Sequence, residues 1–406
     1  MLEVVTLEQA RDTAARRFQA LSSPRTCCVT LDQAAGRMLA NDVVSTEGVP
    51  PFDRSMVDGF AVTSSDTFGC SEALPALLEL QGEVLMGEVP DCSCSPGACV
   101  RIPTGGHLPE GANAVVMLEH CEEYGDGTVG VMRPCAPGAN VVFKNDDVAP
   151  GQVLIPNGTV LQSHHVGTLA SLGVVSVEVR AFPRVAIIST GAEIVPPDCM
   201  PKGSQMRDVN GPLLAAAVRA CGAEAVEFPI VHDDIEQLRD VVKTALEDCQ
   251  MILVSGGTSA GEKDYTARVF AEMGDVLFHG VAVKPGKPTL LADVGSVPSF
   301  GLPGHPVAAY LMFLELARPL LTGVEGAKAR TVTARLGSGV PSNHGRTELI
   351  GVRLEPCDGD MRAVPIRGKS GLISQLSCAD GYVEIGRDSE GAAAGDVVEV
   401  RLFERS

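Results

Sequence analysis

The sequence contains no stretch of about eighteen consecutive apolar residues, which is the length that a helix needs to cross a bilayer. Its beginning, MLEVVTLEQARDTAARRFQAL, lacks the uninterrupted apolar segment of a secretory signal and carries acidic residues early. These absences argue against a membrane protein and against export. We therefore expect a cytoplasmic protein.

Positive charge is scarce, with 32 lysines and arginines against 51 aspartates and glutamates and a net charge of −19. Proteins that bind nucleic acids concentrate lysine and arginine on one surface, so this composition argues against a nucleic-acid partner. A locally basic site can still exist on an acidic protein. The composition therefore leaves room for a small anionic ligand.

Metal-ligand spacing is missing from the thirteen cysteines, which are scattered along the chain. The densest group, Cys92, Cys94 and Cys99, lacks the second cysteine pair or the histidines that a structural zinc site uses. In a cytoplasmic chain such thiols stay reduced. We interpret them as free cysteines and assign none of them a catalytic role.

A chain of 406 residues is too long for one hydrophobic core, and a hydrophobic content of 45% is typical of globular domains. Apolar residues at helical spacing follow Thr6, and Gln9 three residues later completes a capping box. We expect helices over residues 4–45, the second at 31–39, and a short helix near 163–172. Glycine, proline and short apolar runs favour β structure at 50–142, and a similar pattern returns at 327–406.

Strand and helix patterns alternate from Arg184 onward. Buried strands are predicted at 185–188, 225–231 and 251–254, and helices at 211–221, 235–247 and 308–321. This alternation indicates a doubly wound parallel sheet, whose ligands bind outside the carboxyl ends of the strands. Polar loops follow all three strands, so we expect these acidic residues to gather on one rim: Glu193, Asp233, Asp234, Glu262 and Asp264.

The strand at 251–254 runs into a loop with three glycines and three hydroxyl residues, Ser255-Gly256-Gly257-Thr258-Ser259-Ala260-Gly261. Glycine lacks the Cβ that would keep an anion away from the backbone N–H groups, so such a loop can bind a phosphate. Glu262 and Asp264 follow it, and carboxylates beside a phosphate are typical of a divalent metal site. An ordinary strand-to-helix turn is the alternative.

Two later loops carry further candidate groups. Lys284 and Lys287 flank Pro285-Gly286, a stiff turn that presents both ammonium groups in one direction. This arrangement suggests an anion site, with a solvated basic turn as the alternative. His305 precedes a proline at a predicted helix start, where a structural role and a ligand contact are both open.

The β-rich segment contains two polar turns that packing does not explain. They lie in PPFDRSMVDGFAV and RIPTGGHLPEGANAVV, and their polar residues are Asp53, Arg54, Ser55, Asp58, Arg101 and Thr104. Hairpin connections are the alternative interpretation.

Seven motifs, taken in order, resemble the MoeA/gephyrin family of molybdopterin molybdenumtransferases: PPFDRSMVDGFAV, RIPTGGHLPEGANAVV, ISTGAEIV, SGGTSAGEKDY, VKPGKP, GLPGHPV and GKSGLISQLSCADG. The resemblance covers nearly the whole chain. It implies a homodimer of four-domain, L-shaped subunits with the active site at the subunit interface. Such an enzyme inserts molybdate into the dithiolene of adenylylated molybdopterin with Mg²⁺ and releases AMP. Acceptor apoenzymes and a molybdopterin adenylyltransferase are possible partners.

This resemblance implies a multidomain fold class that combines α/β and β domains. A helical linker domain would comprise residues 1–45 with 140–180, and a β-rich domain residues 46–139. Residues 181–326 would form the central doubly wound, mostly parallel α/β domain of the molybdopterin-binding type. Residues 327–406 would form a small C-terminal domain that resembles a β-barrel.

The resemblance also implies roles for individual residues. Asp58, Thr104 and Asp147 would act from the partner subunit's side of the cleft, together with the catalytic residues Glu193, Lys284 and Lys287. Magnesium would be held by Glu193, Asp233 and Asp264. The substrates would contact Ser255, Gly256, Gly257, Thr258, Ser259, Gly261, Pro288, Gly304 and Ser370.

Some positions depart from the family pattern, among them Ala192 and His305. Gly351 stands where relatives place an arginine that contacts molybdate, and Arg346 or Arg353 is a candidate replacement. Three alternative functions stay open. They are tungstate insertion by the same chemistry, a non-catalytic molybdopterin-binding or scaffold protein, and the related adenylyltransferase, which the chain length disfavours.

Overall fold

The structure is a computed structural model that describes residues 4–21, 23–256, 264–326, 330–357, 359–366, 368 and 371–403. Two compact units are distinguished by their internal contacts. We call Thr26–Arg180 the inserted unit, because the chain on both sides of it, Met1–Arg25 and Ala181–Ser406, forms the main unit. The four domain boundaries expected from the sequence stay a prediction.

The helices are distributed over both units. They are α1 (Leu7–Arg17), α2 (Leu31–Ala34), α3 (Ser163–Ser171), α4 (Asn210–Ala220), α5 (Ile235–Leu246), α6 (Tyr265–Met273), α7 (Pro306–Met312), α8 (Arg318–Gly326) and α9 (Ser374–Cys378). A π-helical turn, Phe313–Ala317, joins α7 to α8. Within the described ranges, no helix combines the length and the apolar character that a membrane crossing requires.

Helix α1 begins as the sequence predicts. The Gln9 N–H donates to the Thr6 hydroxyl at 3.1 Å, and the Thr6 N–H donates to Gln9 Oε1 at 2.9 Å, so the capping box is confirmed. The expectation of helices up to residue 45 is wrong, since Thr26–Thr30 is a strand and α2 is a single turn. That strand, TCCVT, is rich in the β-branched residues that favour strands, and it pairs antiparallel with Ser176–Arg180, a segment distant in the chain.

The inserted unit is mostly β structure, as predicted for residues 50–142. Its strands are β1 (Thr26–Thr30), β2 (Val43–Val44), β3 (Arg54–Ser55), β4 (Gly59–Val62), β5 (Ala76–Glu83), β6 (Ala98–Ile102), β7 (Ala114–Met117), β8 (Cys121–Glu123), β9 (Thr128–Val131), β10 (Val141–Val142), β11 (Val153–Ile155) and β12 (Ser176–Arg180). Six of them form one sheet in the order β7-β4-β6-β5-β9-β8.

The main unit contains the remaining described strands. They are β13 (Arg184–Ser189), β14 (Ile194–Val195), β15 (Met206–Arg207), β16 (Glu224–Glu227), β17 (Met251–Ser255), β18 (Asp275–His279), β19 (Val283–Lys284), β20 (Leu290–Val294), β21 (Val297–Leu302), β22 (Thr331–Leu336), β23 (Val340–Pro341), β24 (Thr347–Cys357), β25 (Asp360–Pro365), β26 (Gly381–Ile385), β27 (Gly391–Ala392) and β28 (Val397–Leu402).

The central sheet of the main unit has the order β16-β13-β17-β21-β20-β18. Strands β16, β13, β17 and β21 are parallel, and the last two join antiparallel. Alternate residues of β17 enter different cores: Met251 and Leu253 pack with α4 and α7, whereas Ile252 and Val254 pack with α5 and α6. Helices therefore cover both faces, which confirms the doubly wound, mostly parallel domain.

The C-terminal part of the main unit is a closed barrel. Strands β24, β25, β22, β28 and β26 pair in that order, and β24 also pairs with β26, which closes the ring. Strand β19 adds to β24 in parallel. The predicted β-barrel-like domain is thus confirmed.

A buried charge network joins α1, the π-helical turn and the barrel. Glu315 lies in the π-helical turn, with a side chain that is 4% exposed. It accepts hydrogen bonds from Arg11 Nε at 2.9 Å, from Arg401 Nη1 at 2.9 Å and from the Tyr382 hydroxyl. Both arginines also contact Glu384 at 2.9 Å, so two cations and two carboxylates alternate.

Candidate active site

A cavity of about 1750 Å³ opens at the carboxyl ends of the parallel strands of the main unit. This is larger than the roughly 300–1,000 Å³ of a pocket for one drug-sized ligand, so it has room for an extended molecule. Its lining includes the loops after β13, β17 and β21, the turn at residues 283–288, and barrel residues 345–351. This is the position at which doubly wound folds bind ligands.

Glycine is required where the strand ends approach each other. Gly256 has φ +93°, and a Cβ built there would lie 2.3 Å from the Thr190 carbonyl oxygen. The two strand ends are held by a hydrogen bond of 2.9 Å from the Thr190 N–H to the Ser255 carbonyl. The rest of the predicted phosphate loop, Gly257, Thr258, Ser259 and Gly261, lies outside the described residues, as does Glu262.

Asn210 connects two of these loops, and the sequence interpretation missed it. Its Nδ2 donates to Ser255 Oγ at 2.6 Å and to the Gly304 carbonyl at 2.9 Å. Because a carbonyl oxygen can only accept, the Gly304 contact fixes which side of the amide carries the nitrogen. The sequence signal that could have identified it is an asparagine at the first position of helix α4, directly after a loop at the sheet edge.

Carboxylates occupy the strand-end side of the cavity. Glu193 and Asp233 are exposed residues that line it, as predicted for this rim. Asp233 adopts φ +41°, which places it at a tight turn after Val231. Asp234 has a different role from the one expected, since its Oδ1 accepts from the N–H groups of Glu236 and Gln237 and caps α5.

Asp264 does not belong to the described lining of the cavity. Its Oδ1 accepts from the Ala267 N–H at 2.9 Å and caps α6, while Oδ2 lies 3.1 Å from His279 Nε2. Burial raises the pKa of the Asp264 carboxyl, and the Ala267 N–H and His279 oppose that shift. The expectation that Asp264 shares the rim with Glu193 stays a prediction, and no metal-ligating group of three or more forms among the described residues.

The turn at residues 283–288 and the barrel contribute basic residues to the same cavity. Lys284, Lys287 and Arg346 all line the cavity, as does Pro288. Lys284 Nζ lies 3.3 and 3.2 Å from the two carboxylate oxygens of Glu348, and Arg346 Nη2 lies 3.3 Å from Glu348 Oε1. The described lining holds four basic residues and four carboxylates in all. The chain as a whole has 32 basic residues against 51 acidic ones, so the lining is more basic than the chain.

The structure distinguishes the two arginines that could replace the one missing at Gly351. Gly351 and Arg346 both line the large cavity. Arg353 instead pairs with Glu355, with Nε 3.0 Å from Oε1, and lines a separate cavity of about 490 Å³. Arg346 is thus the candidate that shares the cavity with the lysine turn.

His305 occupies the N-cap position of α7 before Pro306, and it lines the same cavity. A Cβ built on Gly371 would lie 3.7 Å from the His305 ring, so this histidine borders the barrel segment that contributes to the wall. Its role stays open between structure and ligand contact. Ser370, predicted to contact the oxyanion, lies outside the described residues.

In the inserted unit, Asp58 and Thr104 form a hydrogen-bonded pair. Asp58 Oδ1 accepts from the Thr104 N–H at 2.7 Å and from its hydroxyl at 3.0 Å. These bonds, the backbone one first, lower the pKa of Asp58, because they stabilise the charged form. The two predicted polar turns are therefore brought together as one site.

The segment that contains Asp147 is hydrogen-bonded to the polar turn that contains Asp53 and Asp58. Strand β10 pairs with β3, and the Lys144 N–H donates to Asp53 Oδ1 at 2.7 Å. Asp147 itself is exposed, and its N–H donates to the Val49 carbonyl at 3.0 Å. The segments that contain Asp58, Thr104 and Asp147 are thus linked by hydrogen bonds within the inserted unit.

Comparison with known families assigns three segments that together cover most of the chain. Residues 5–173 match the MoeA N-terminal region (domain I and II), residues 186–323 a probable molybdopterin binding domain, and residues 333–403 the MoeA C-terminal region (domain IV). A putative molybdopterin biosynthesis protein of Methanocaldococcus jannaschii is 34% identical, with 92% of each chain covered. The chain belongs to the MoeA family.

Further relatives agree with this membership. A molybdopterin molybdenumtransferase of Staphylococcus aureus is 30% identical over 94% of this MoeA-family chain and 92% of its own length. The crystal structure of a molybdopterin biosynthesis MoeA protein from Pyrococcus horikoshii has a TM-score of 0.84 and 37% identity, with both chains covered completely. Molybdenum cofactor biosynthesis is therefore the process to which this member of the family belongs, and the resemblance found in the motifs is confirmed.

Proposed function

We propose that this chain is a molybdopterin molybdenumtransferase that inserts molybdate into the dithiolene of adenylylated molybdopterin, with Mg²⁺-dependent release of AMP. The observation that carries the proposal is that one cavity holds both exposed carboxylates and a group of basic side chains. Glu193 and Asp233 lie on the strand-end side, and Lys284, Lys287 and Arg346 lie on the side of the turn and the barrel. A ligand with a pyrophosphate and a nearby oxyanion requires both a place for a cation and a basic wall.

The proposed reaction balances without an oxidant or a reductant. Two Mo–S bonds form, and one molybdate oxygen leaves with the two thiol protons as water, so molybdenum stays hexavalent. Water cleaves the phosphoanhydride bond between the adenylyl group and the cofactor phosphate. The products are AMP and the molybdenum cofactor with its phosphate monoester.

The basic residues would bind and orient the anionic groups. Lys284 and Lys287 flank one turn, and Arg346 adds a planar guanidinium, which suits an oxyanion better than a point charge does. Positive groups held in a cavity stabilise negative charge that develops during bond cleavage. Gly256 and Gly304 approach each other at this end of the cavity, since a Cβ built on Gly304 would lie 3.8 Å from the Gly256 Cα.

The acidic residues fit magnesium. Mg²⁺ prefers oxygen ligands and is commonly held by one or two carboxylates together with substrate phosphates. Glu193 and Asp233 offer two exposed carboxylates on one cavity and would hold it, whereas Asp264 is occupied by the α6 cap and His279. When bound, the ion would polarise the phosphoanhydride and stabilise the leaving AMP.

AMP release from adenylylated molybdopterin, measured with purified protein and Mg²⁺ while molybdate or tungstate is titrated, tests this proposal. We expect release that saturates with the oxyanion, and the two half-saturating concentrations identify the preferred metal. Glu193→Gln should reduce turnover. Tight binding of the substrate without AMP release under either oxyanion would contradict the enzyme and support a binding protein.

We also propose that the site is completed in a homodimer, with Asp58, Thr104 and Asp147 supplied by a second copy. The paired Asp58 and Thr104 side chains are exposed in the inserted unit, as a shared site requires. Mixing inactive Asp58→Asn and Glu193→Gln variants tests this. In a shared-site dimer, random exchange restores one intact site in half of the dimers, about a quarter of wild-type activity; no restoration after verified exchange would contradict it.

Two further expectations accompany this function. A molybdopterin adenylyltransferase would supply the adenylylated substrate, and acceptor apoenzymes would take the product. We place the reaction in the cytoplasm, where the reduced thiols of the dithiolene survive.

A further inference from the structure

Strand pairing places one carboxylate directly opposite the lysine turn. The parallel register of β19 and β24 pairs Lys284 with Glu348. The Thr347 N–H donates to the Ala282 carbonyl at 2.9 Å, which fixes this register next to the turn. Glu348 is therefore a cross-strand neighbour of Lys284, set by backbone hydrogen bonds rather than by side-chain mobility.

Glu348 is buried, whereas the two basic side chains that it contacts are partly exposed. Its side chain is 5% exposed, whereas the side chains of Lys284 and Arg346 are 55% and 39% exposed. Both Glu348 oxygens accept from Lys284 Nζ, and Oε1 also accepts from Arg346 Nη2. The carboxylate thus lies beneath two cations whose outer parts reach the cavity.

A lysine side chain loses considerable rotamer entropy when it is held in one place. Without a fixed partner, the half-exposed Lys284 ammonium would sample many positions. A buried carboxylate that accepts from the ammonium group restricts that sampling before a ligand arrives, which lowers the cost of binding.

We propose that Glu348 is a positioning residue for anion binding, acting through Lys284 and Arg346 rather than by contact with the substrate. This inference rests on the proposed function, because it assigns the anion as the oxyanion substrate. The neighbouring Lys287 provides a contrast, since no described carboxylate lies within ion-pair distance of its ammonium group. Glu348 therefore organises two of the three cations on the basic side.

The test is equilibrium binding of molybdate to the full-length protein, by isothermal titration calorimetry at fixed ionic strength. The variants are Glu348→Gln, Lys284→Met and the double variant, with thermal unfolding measured for each. Glu348→Gln should weaken molybdate binding about tenfold, as expected for a lost hydrogen-bonded charge contact. The same substitution should have a smaller effect in the Lys284→Met background, because only the contact with Arg346 then remains to be lost.

Glu384→Gln is the matched control. Glu384 is also a barrel carboxylate with two cationic partners, Arg11 and Arg401, but it does not belong to the described lining of the cavity. It should leave molybdate affinity unchanged. An equal loss in this variant, or additive losses for Glu348 and Lys284, would assign Glu348 a structural role instead.

Two other outcomes would overturn the inference. Tighter binding by Glu348→Gln would show that the carboxylate competes with the anion for the cations, and absence of saturable binding by the wild type would remove the anion site itself. The proposed function is judged separately by AMP release. If the wild type turns over and Glu348→Gln binds molybdate with unchanged affinity, the inference about Glu348 is refuted and the proposed function stands. If molybdate binding depends on Glu348 and Lys284 together but no AMP is released, the proposed enzymatic function is refuted and the inference stands.

Discussion

Replacing Glu315 by glutamine should destabilise the main unit by about 3 kcal/mol. Removing one partner of a buried ion pair costs about 3–5 kcal/mol, because the remaining charge loses its compensation. We take the lower end, since the Arg11 and Arg401 side chains are each 29% exposed and keep their contacts with Glu384. A glutamine also preserves the volume beside Tyr382, so little of the loss would come from packing.

Urea denaturation followed by far-UV circular dichroism measures this change, because the chain has no tryptophan to serve as a fluorescence probe. For a unit of this size, about 3 kcal/mol corresponds to a decrease in Tm of about 6–12 °C. Glu384→Gln is the control, with a side chain that is 27% exposed and an expected loss of about 1 kcal/mol. Equal losses for the two variants, or a change below about 0.5 kcal/mol for Glu315→Gln, would refute the reasoning.

The same residue predicts a pH dependence. Burial raises the pKa of Glu315, but Arg11 and Arg401 outweigh it and lower the pKa overall. A carboxyl whose folded pKa lies below its unfolded value of about 4.3 stabilises the fold above that pH, and the contribution is lost as the pH falls through the folded pKa. The stability difference between wild type and Glu315→Gln should therefore be constant near neutrality and shrink below about pH 4; a difference that grows on acidification would contradict this.

Four further variants test the site. Gly256→Ala should cost about 2–3 kcal/mol in urea unfolding, because alanine disfavours the positive φ and its Cβ would overlap the carbonyl of the adjacent strand end; wild-type stability would show that this strand end is misplaced. Arg346→Ala should raise the half-saturating molybdate concentration in the AMP-release assay about tenfold, and Arg353→Ala should raise it less than about twofold. A larger effect of Arg353→Ala would instead make Arg353 the residue that replaces the missing arginine. Thr104→Val should raise the pKa of Asp58 part of the way to its usual value, since the backbone donor remains, as measured by carboxyl-carbon NMR titration; an unchanged pKa would remove the hydroxyl from the site.

Local chemistry in the sequence was sufficient for much of the fold. The Thr6 capping box and the apolar run at Met251–Ser255 depend on neighbouring residues, so their structure follows from short-range pattern. The alternation of strands and helices after Arg184 then implied the doubly wound sheet. Because the carboxyl ends of parallel strands share one edge, the sequence also indicated where Glu193 and Asp233 would meet.

The directions in which individual side chains point could not be predicted from these sequence patterns. Asp234 and Asp264 follow strands exactly as the rim residues do, yet each turns back to cap a helix. A carboxylate at a helix start can either accept backbone N–H groups or face the solvent, and the choice depends on how the helix is packed. Asn210 was missed for a related reason, since its partners Ser255 and Gly304 come from two other loops.

What the sequence determined by itself is the order of elements, the family and the edge of the sheet that carries the chemistry, because motifs and periodicities are properties of contiguous residues. Tertiary structure alone decided that Thr26–Thr30 is a strand, that Arg346 rather than Arg353 lines the cavity, and that Glu348 lies beneath Lys284. Each of these depends on pairing between segments far apart in the chain. Such pairing is decided by the register of whole strands, and no single segment encodes that register.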